Sequence, residues 1–102
     1  MFGFLKKLFG KDEKLSEAIE AGAFLVDVRT PLEFKSGSVK GAINIPLDSI
    51  SGQLHRFKGK NHIVVFCRSG MRSSQAKNIL EQSGFENVIN GGSWSNVAAL
   101  VA

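Results

Sequence analysis

Cysteine is the scarcest reactive residue in this chain, since Cys67 is the only one among 102 residues. A lone cysteine has no partner for an intramolecular disulfide, and with His55 and His62 as the only histidines it cannot complete a cysteine-rich zinc or iron–sulfur site. Neither histidine falls in a pattern that indicates a role, and each is more simply a surface or strand-end residue. We therefore expect no metal site, and a single free thiol suits a reducing compartment such as the cytoplasm.

Long apolar runs are also missing. No segment approaches the roughly 18 to 20 apolar residues that cross a bilayer, which excludes a transmembrane helix. The apolar cluster near the start is interrupted by Lys6 and Lys7 and has no small-residue cleavage site, so we expect no signal peptide. Low-complexity tracts and internal repeats are absent as well, and a composition of 43% hydrophobic and 22% charged residues indicates one globular domain.

Acidic residues are fewer than basic ones, nine against thirteen, which gives a net charge of +4. Four of the lysines lie within residues 1–14, a segment that we call the N-terminal arm, and residues 15–102 form the predicted domain. Basic residues alternate with aromatic ones only in this arm, so we expect no nucleic-acid partner. The charge excess is instead a weak indication of an anionic partner.

The N-terminal arm has an amphipathic pattern. At helical spacing its large apolar side chains fall within one arc and the lysines lie outside it. These apolar residues are Phe2, Phe4, Leu5, Leu8 and Phe9. A segment this short is not a stable isolated helix in water. The arm therefore packs on the domain, stays mobile, or makes weak contact with an anionic membrane surface, and the sequence leaves these alternatives open.

Short apolar runs predict buried β-strands. Residues 24–28 and 62–66 are rich in Val, Ile and Phe, which is typical of strands buried on both faces of a parallel sheet. Residues 42–45 and 86–89 are weaker examples of the same pattern. Segments with helical character lie between the strands. This alternation predicts an α/β fold in which a mainly parallel central sheet is covered by helices on both faces.

Helix-end signals mark three helices. Residues 15–21 are followed by Gly22, which suits a helix C-terminus. The run Thr30-Pro31-Leu32-Glu33 has the order of a capping box, with threonine as the N-cap and proline at the first helical position. Residues 73–83 place apolar side chains three and four positions apart and stop at Gly84. The strands are therefore separated by helices with defined ends.

Cys67 follows the predicted strand 62–66 and precedes the polar, flexible run Arg68-Ser69-Gly70-Met71-Arg72. In an open parallel sheet, ligands bind at the carboxyl ends of strands. A loop that enters a helix there presents backbone N–H groups and the positive end of the helix dipole. The two arginines of the run add positive charge. Because all these effects favour a thiolate over a thiol, the pattern predicts a nucleophilic cysteine rather than an inert buried one.

The run Cys67-Arg68-Ser69-Gly70-Met71-Arg72-Ser73 closely resembles the active-site loop of rhodanese-like sulfurtransferases. Three further segments resemble motifs of that family and occur in the family's order. They are Leu25-Val26-Asp27-Val28-Arg29, Gly41-Ala42-Ile43-Asn44-Ile45-Pro46 and Val88-Ile89-Asn90-Gly91-Gly92. The likeness covers roughly residues 15–100, within the usual boundary error. It implies the rhodanese-like three-layer α/β fold.

This resemblance also implies a sulfur-relay enzyme that needs no metal or organic cofactor. Cys67 would be the catalytic nucleophile that attacks the outer sulfur of thiosulfate or another sulfane donor, expels sulfite and holds the sulfur as a persulfide. A thiol, a protein or cyanide would accept that sulfur. Arg72 would be the second catalytic residue, which attracts the anionic donor and braces the loop. The substrate-binding residues would be Arg68, Ser69, Gly70 and Met71.

Two supporting residues stand at the end of the first predicted strand. Asp27 pairs with Arg29 or with Arg72 and holds the loop entrance, a structural role that we favour over direct chemistry.

The pair Gly91-Gly92 permits close approach of the backbone. Trp94 is interpreted as a core or pocket-wall aromatic.

Two other functions remain as alternatives. Cysteine phosphatases and arsenate reductases place five residues between cysteine and arginine, whereas four separate Cys67 from Arg72. A smaller ring of N–H groups fits a single sulfur atom better than a tetrahedral phosphate, and the loop contains no acid to protonate a leaving group. The second alternative is a non-catalytic module that binds a protein partner. Inactive versions of this fold usually lack the cysteine, which this chain retains.

Overall fold

The apolar runs form strands, and the segments between them form helices. The computed structural model describes residues 10–101, with side chains from residue 13 onward. The strands are β1 (Phe24–Asp27), β2 (Ile43–Asn44), β3 (Ile63–Cys67) and β4 (Val88–Ser93). The helices are α1 (Gly10–Glu20), α2 (Pro31–Lys35), α3 (Met71–Gln82) and α4 (Trp94–Leu100), with short 3₁₀ helices at Leu47–Gly52 and Leu54–Phe57.

The four strands form one parallel sheet in the order β2-β1-β3-β4. Parallel pairing places the carboxyl ends of the strands along the same edge of the sheet. Asp27 lies beside Phe66 in the neighbouring strand, and Cys67 lies beside Ser93. The predicted α/β fold with a parallel sheet is therefore confirmed, and the predicted site residues of β1 and β3 share one edge.

Alternate residues of β3 pack on opposite faces of the sheet, and each face has its own apolar core. On one face, Val65 and Cys67 pack with α3 and with the two 3₁₀ helices. On the other face, Val64 and Phe66 pack with α1 and α4. A strand covered on both faces needs apolar side chains at every position, which explains the unbroken run in β3. The prediction of helices on both faces is confirmed.

The predicted capping box starts α2. The Thr30 hydroxyl accepts the Glu33 N–H at 3.3 Å, and the Glu33 carboxylate accepts the Thr30 N–H at 3.1 Å. The glycines predicted to close α1 and α3, Gly22 and Gly84, have φ angles of 86° and 98°. A residue in this left-handed region ends a helix, and glycine adopts it without a side-chain clash. These local predictions are confirmed.

Some element boundaries differ from the predicted ones. α3 begins at Met71, two residues before the predicted start, and Cys67 is the last residue of β3 instead of the first residue after it. The connecting loop therefore contains only residues 68–70. No sequence pattern predicted α4 or the two 3₁₀ helices. These elements are short and each buries one side chain, so they leave little periodic signal.

The structure describes only the last residues of the N-terminal arm, from Gly10 onward. α1 begins at Gly10, so the predicted division between residues 14 and 15 lies inside this helix. The apolar side chains of the arm belong to residues 1–9, which lie outside the described residues. Within residues 10–101, none of the helices is long and apolar enough to span a membrane.

A β-bulge interrupts β4 at its glycine pair. The register with β3 shifts by one residue there and leaves Gly91 as the extra residue. A Cβ atom on Gly91 would lie 2.6 Å from the Val97 side chain and 3.1 Å from that of Val64, so the packing of α4 on β3 requires glycine. The next residue, Gly92, approaches to 3.5 Å from where a Cβ on Gly70 would stand. The close backbone approach predicted for the glycine pair is confirmed.

Candidate active site

The candidate active site lies where β3 passes into α3. Cys67 ends the strand as a fully buried residue, and residues 68–70 turn the chain into the helix. Gly70 has a φ of 97°, which favours glycine, and its N–H donates to Cys67 Sγ at 3.0 Å. This turn directs backbone N–H groups and the N-terminus of α3 at the sulfur, where they favour negative charge.

A serine and an asparagine complete the polar surroundings of the sulfur. Ser73, in the first turn of α3, is fully buried, and its Oγ lies 3.4 Å from Cys67 Sγ. The same hydroxyl donates to Asn90 Oδ1 at 2.6 Å. The Asn90 amide donates to the Gly70 carbonyl at 3.1 Å and accepts the Gly92 N–H at 2.9 Å. Asn90 thus ties residues 67–73, which we call the cysteine loop, to the bulge of β4.

The surroundings lower the pKa of the Cys67 thiol below its ordinary value. Burial by itself raises this pKa, because it removes water from the charged form. Hydrogen bonds from the hydroxyl and N–H of Ser73 and from the N–H groups of Gly70 and Ser69 act in the opposite direction and outweigh burial. Since the thiolate is the nucleophilic form of cysteine, this arrangement prepares Cys67 to attack an electrophile.

Arg72 joins the start of α3 to α2 through an ion pair. Its guanidinium donates from Nη1 to Glu33 Oε1 at 2.7 Å and from Nη2 to Oε2 at 3.1 Å. The hydrogen bonds from Arg72, together with the Thr30 N–H, lower the pKa of Glu33 to about 2. Glu33 in turn raises the pKa of Arg72, whose positive charge also attracts the Cys67 thiolate. The partner that orients Arg72 is therefore a carboxylate on a neighbouring helix.

The predicted substrate-binding residues lie on the loop and at the start of α3. The side chains of Arg68 and Ser69 are exposed, and Met71 is 73% exposed. Gly70 and Ser69 contribute N–H groups to Cys67, as described above. The loop thus presents backbone donors to the sulfur on its inner side and a basic and an apolar side chain to solvent on its outer side.

Asp27 and Arg29 form a buried ion pair at the end of β1. Asp27 Oδ2 accepts from Arg29 Nη2 at 2.7 Å and from the Ser38 hydroxyl at 2.6 Å. Arg29 Nη2 also donates to the Gly37 carbonyl at 2.6 Å, and its guanidinium carbon lies 5.1 Å from the centroid of the Trp94 ring. Of the two arginines considered as its partner, Asp27 binds Arg29. The pair fixes the chain that follows α2 against the start of α4.

Sequence reasoning did not single out the Ser73 hydroxyl or Asn90 as parts of the site. An asparagine before a glycine pair at a strand end was the available signal, because such glycines allow the backbone to approach a loop closely. The two histidines lie elsewhere: His55 is exposed in a 3₁₀ helix, and His62 precedes β3 at the opposite end from Cys67. In the described part of the chain, no three His, Cys, Asp or Glu side chains cluster as a metal site would require.

Fold and site together define an α/β protein in which a cysteine of lowered pKa ends a buried strand, just before a short loop that enters a helix. The chain belongs to the rhodanese-like domain family, whose sequence profile matches residues 11–99. It is 35% identical over 97 residues to thiosulfate sulfurtransferase PspE of Escherichia coli (strain K12), which covers 93% of each chain.

Two further comparisons agree with this assignment. The chain is 36% identical over 84 residues to a putative mitochondrial thiosulfate sulfurtransferase of Schizosaccharomyces pombe, covering 69% of this chain and 59% of that one. A solved rhodanese with anions from E. coli superposes with a TM-score of 0.70 at 33% identity, covering 76% of this chain and 93% of that one. Both curated relatives are thus named as thiosulfate sulfurtransferases, the second of them as a putative one.

Proposed function

We propose that this protein transfers a sulfane sulfur from thiosulfate or a persulfide donor to a thiol or cyanide acceptor through a persulfide on Cys67. The observation that carries the proposal is the convergence of hydrogen-bond donors on the buried Cys67 sulfur at the N-terminus of α3. The backbone N–H donors among them are fixed by the turn into α3, so they stabilise an anionic sulfur without reorganisation of the backbone.

The first half-reaction forms the persulfide. The Cys67 thiolate attacks the outer sulfur of thiosulfate, a bond forms between Sγ and that sulfur, and the sulfur–sulfur bond of thiosulfate breaks. Sulfite leaves with the bonding electron pair, and the charge of the thiolate passes to the outer sulfur of the persulfide. In the second half-reaction, cyanide or an acceptor thiolate attacks this outer sulfur, and the Cys67 thiolate is released. Charge is conserved in both steps.

The positive charges at the loop suit an anionic donor. Arg68 is exposed, and the Arg72 side chain is 36% exposed while it is held by Glu33. Both attract a doubly charged thiosulfate toward the mouth of the loop, and this attraction weakens as salt screens the charges. Arg72 keeps a fixed orientation because its planar fork matches the carboxylate of Glu33 at two points.

The surroundings of the loop also suit a protein thiol as acceptor. Among the described residues, Leu32 and Met71 are 78% and 73% exposed, which is unusual for large apolar side chains. Leu32 directly precedes Glu33 in the chain, and Met71 directly precedes Arg72, so both lie next to the ion pair. Exposed apolar side chains beside this ion pair offer apolar surface that a protein acceptor can bury, whereas cyanide has no use for such a surface. We propose that the protein acts in a reducing compartment such as the cytoplasm, where its single thiol stays free.

Mass spectrometry of the intact protein tests this function most directly. After incubation with thiosulfate, we expect one added sulfur on Cys67, and the protein should form thiocyanate when cyanide follows. The Cys67→Ser variant should gain no sulfur and form no thiocyanate. Turnover by the serine variant would contradict the proposal, and a folded wild-type protein that neither gains sulfur nor turns over would support the non-catalytic alternative.

A further inference from the structure

The cysteine loop contains one hydroxyl hydrogen with two competing acceptors. Ser73 Oγ lies 2.6 Å from Asn90 Oδ1 and 3.4 Å from Cys67 Sγ, and Ser73 is fully buried. A serine hydroxyl has a single hydrogen to donate, whereas an amide oxygen and a thiolate are both acceptors only. Ser73 therefore donates to Asn90 or to the thiolate at any one time, and not to both.

Two backbone groups fix the orientation of the Asn90 amide. The Gly92 N–H needs an acceptor and lies 2.9 Å from Oδ1, while the Gly70 carbonyl needs a donor and lies 3.1 Å from Nδ2. The amide oxygen therefore faces Ser73. When Cys67 is a thiol, its S–H can donate to Ser73 Oγ while the Ser73 hydroxyl donates to Asn90. Every hydrogen in this arrangement has an acceptor.

Loss of the thiol proton reverses the balance. A thiolate donates nothing, so Ser73 Oγ would present its lone pairs to a negative charge unless the hydroxyl turned toward it. After that turn, the hydroxyl makes a charge-assisted hydrogen bond to sulfur, which is stronger than one between neutral groups. Asn90 Oδ1 keeps the Gly92 N–H as a partner, so no buried acceptor is left without a donor.

We infer that the Ser73 hydroxyl is a catalytic donor that follows the charge on Cys67, and that Asn90 is the positioning residue that holds this hydroxyl while the sulfur is neutral. This inference rests on the proposed function. In the persulfide, Sγ is neutral again and the charge lies on the outer sulfur, so the hydroxyl returns to Asn90. When the acceptor takes the outer sulfur, Cys67 becomes the leaving thiolate, and the hydroxyl turns toward it again. When the Ser73 hydroxyl rotates in this way, only its hydrogen-bond partner changes, and no proton is transferred.

Charged groups act on the same sulfur and have to be held constant in a test. Arg72 at the start of α3 attracts the thiolate, and it is paired with Glu33 of α2. Asp27 of β1 also interacts with the charge of Arg72 and is neutralised by its own partner, Arg29. Substitutions at Ser73 and Asn90 leave all four groups in place, so a change in thiol ionisation reports on the hydroxyl and the amide.

Alkylation of Cys67 by iodoacetamide as a function of pH measures thiol ionisation in the full-length protein without a sulfur donor. In Ser73→Ala, we expect the midpoint to rise, and kcat/KM for thiosulfate and cyanide to fall about tenfold, because a hydrogen bond to a charged group is lost. The matched control is Ser74→Ala, since Ser74 is the next residue of the same helix and is exposed. This control should leave both the midpoint and kcat/KM unchanged.

Asn90→Ala tests the second half of the inference in a double-mutant cycle. With Ser73 present, loss of the Asn90 oxygen leaves the sulfur as the remaining acceptor of the hydroxyl, so the midpoint should be lower than in the wild type. In the Ser73→Ala background, the same change should not lower it. An equal effect in both backgrounds would mean that Asn90 only supports the loop, and would overturn its assigned role.

The outcomes separate this inference from the proposed function. If Ser73→Ala folds, transfers sulfur at the wild-type rate and keeps the wild-type midpoint, the inference is overturned and the function stands. If the wild-type protein transfers no sulfur, the proposed function fails, and the role of Ser73 in transfer fails with it. The Ser73→Ala titration needs no second variant, so it decides the hydroxyl's part even if Asn90→Ala does not fold.

Discussion

The lowered pKa of the Cys67 thiol results from a competition between burial and hydrogen bonding. Burial alone would favour the neutral thiol and make the residue an inert part of the core of α3 and β3. The N–H groups of Ser69, Gly70 and Ser73 and the Ser73 hydroxyl reverse this preference. The same atoms that close the turn into α3 are thus the ones that favour the thiolate form of Cys67.

The lowered pKa of Cys67 gives a first prediction. Alkylation by iodoacetamide should reach its midpoint below the roughly 8.5 of a free cysteine, because the folded loop favours the thiolate. The same chain in denaturant is the control and should titrate at the free-thiol value. Since the pKa is lower in the folded state, the thiolate stabilises folding above the unfolded pKa, and this contribution is lost as the pH falls through the folded pKa. A folded midpoint equal to the denatured one would refute the prediction.

The two loop arginines should respond differently to substitution by lysine. Arg72 holds the Glu33 carboxylate with two nitrogens, which an ammonium group cannot do. Arg72→Lys should therefore lose about tenfold in kcat/KM for thiosulfate although the charge is kept. Arg68 is exposed and is proposed to act only through its charge, so Arg68→Lys should keep kcat/KM within about twofold of the wild type.

Steady-state kinetics at several salt concentrations check this division of roles. Arg68→Ala should mainly raise KM, and its deficit should shrink as salt screens the charge. Losses of equal size from the two lysine variants would show that Arg72 also acts only through its charge.

At the scale of elements, one carboxylate serves two helices. Glu33 completes the capping box of α2 and at the same time binds Arg72 in the first turn of α3. α2 contributes no buried residue, so its position depends on such end contacts more than on core packing. The short helix therefore holds the arginine of the cysteine loop.

Glu33→Gln tests this connection, because glutamine can keep the capping box but not the ion pair. The side chains of both partners are about one-third exposed, so Glu33→Gln should lower the free energy of unfolding at neutral pH by about 1 kcal/mol or less. This corresponds to a decrease of a few degrees in the unfolding temperature. The pKa of Glu33 is lowered from 4.5 to about 2, so the ion pair stabilises the fold above pH 4.5 and its contribution is lost as the pH falls toward 2.

Thermal unfolding of the wild type and Glu33→Gln between pH 7 and pH 2 checks both the size and the sign. The difference in unfolding temperature should shrink below pH 4.5 and vanish near pH 2. The control is Glu86→Gln, which neutralises an exposed carboxylate outside the helices and should change little at any pH. A difference that persists at pH 2 would show that the ion pair is not its cause.

At the scale of the whole molecule, the parallel sheet brings its functional groups to one edge. Asp27, Cys67 and Ser93 end three different strands. In the register of the sheet, Cys67 lies beside Ser93, and Asp27 lies beside the residue that precedes Cys67. The helices cover both faces of the sheet, and the loop residues Arg68 and Ser69 reach solvent at this edge. The cavities that include His62, of about 330 and 540 Å³, lie at the other end of the strands, away from the cysteine loop.

The N-terminal arm should be dispensable for the chemistry. A chain that begins at Gly10 retains all of α1, including the buried Leu15 and Ala18, and every residue of the cysteine loop. We expect its kcat/KM for thiosulfate to stay within about threefold of the full-length value, which is less than about 1 kcal/mol of transition-state stabilisation. Its unfolding temperature or association state should change if the removed apolar side chains cover part of the domain or a second copy.

Flotation with anionic vesicles separates the alternatives for the arm. Binding by the full-length chain that disappears on truncation would assign the arm to a membrane surface. A folded, truncated protein without sulfur transfer would show instead that the arm helps to build the active site.

The sequence by itself determined the types of most elements and the position of Cys67 at the end of a buried strand. These features depend on neighbours in the chain: an apolar run makes β3, the order Thr30 to Glu33 starts α2, and glycines close α1 and α3. The cysteine loop belongs to the same group, because its turn into α3 requires only the flexible Gly70 and the residues beside it. The short helix α4 was not predicted, because its sequence has little periodicity.

Tertiary structure decided which distant side chains meet. Ser73 lies 17 residues from Asn90, and Glu33 lies 39 residues from Arg72. Such contacts depend on strand register, on the bulge at Gly91 and on how each helix packs against the sheet, and no periodicity within a segment contains that information. The sequence therefore predicted Cys67 as the nucleophile. Only the fold decided that a hydroxyl and an amide lie near its sulfur and that a carboxylate holds Arg72, because these groups come from separate elements that packing alone brings together.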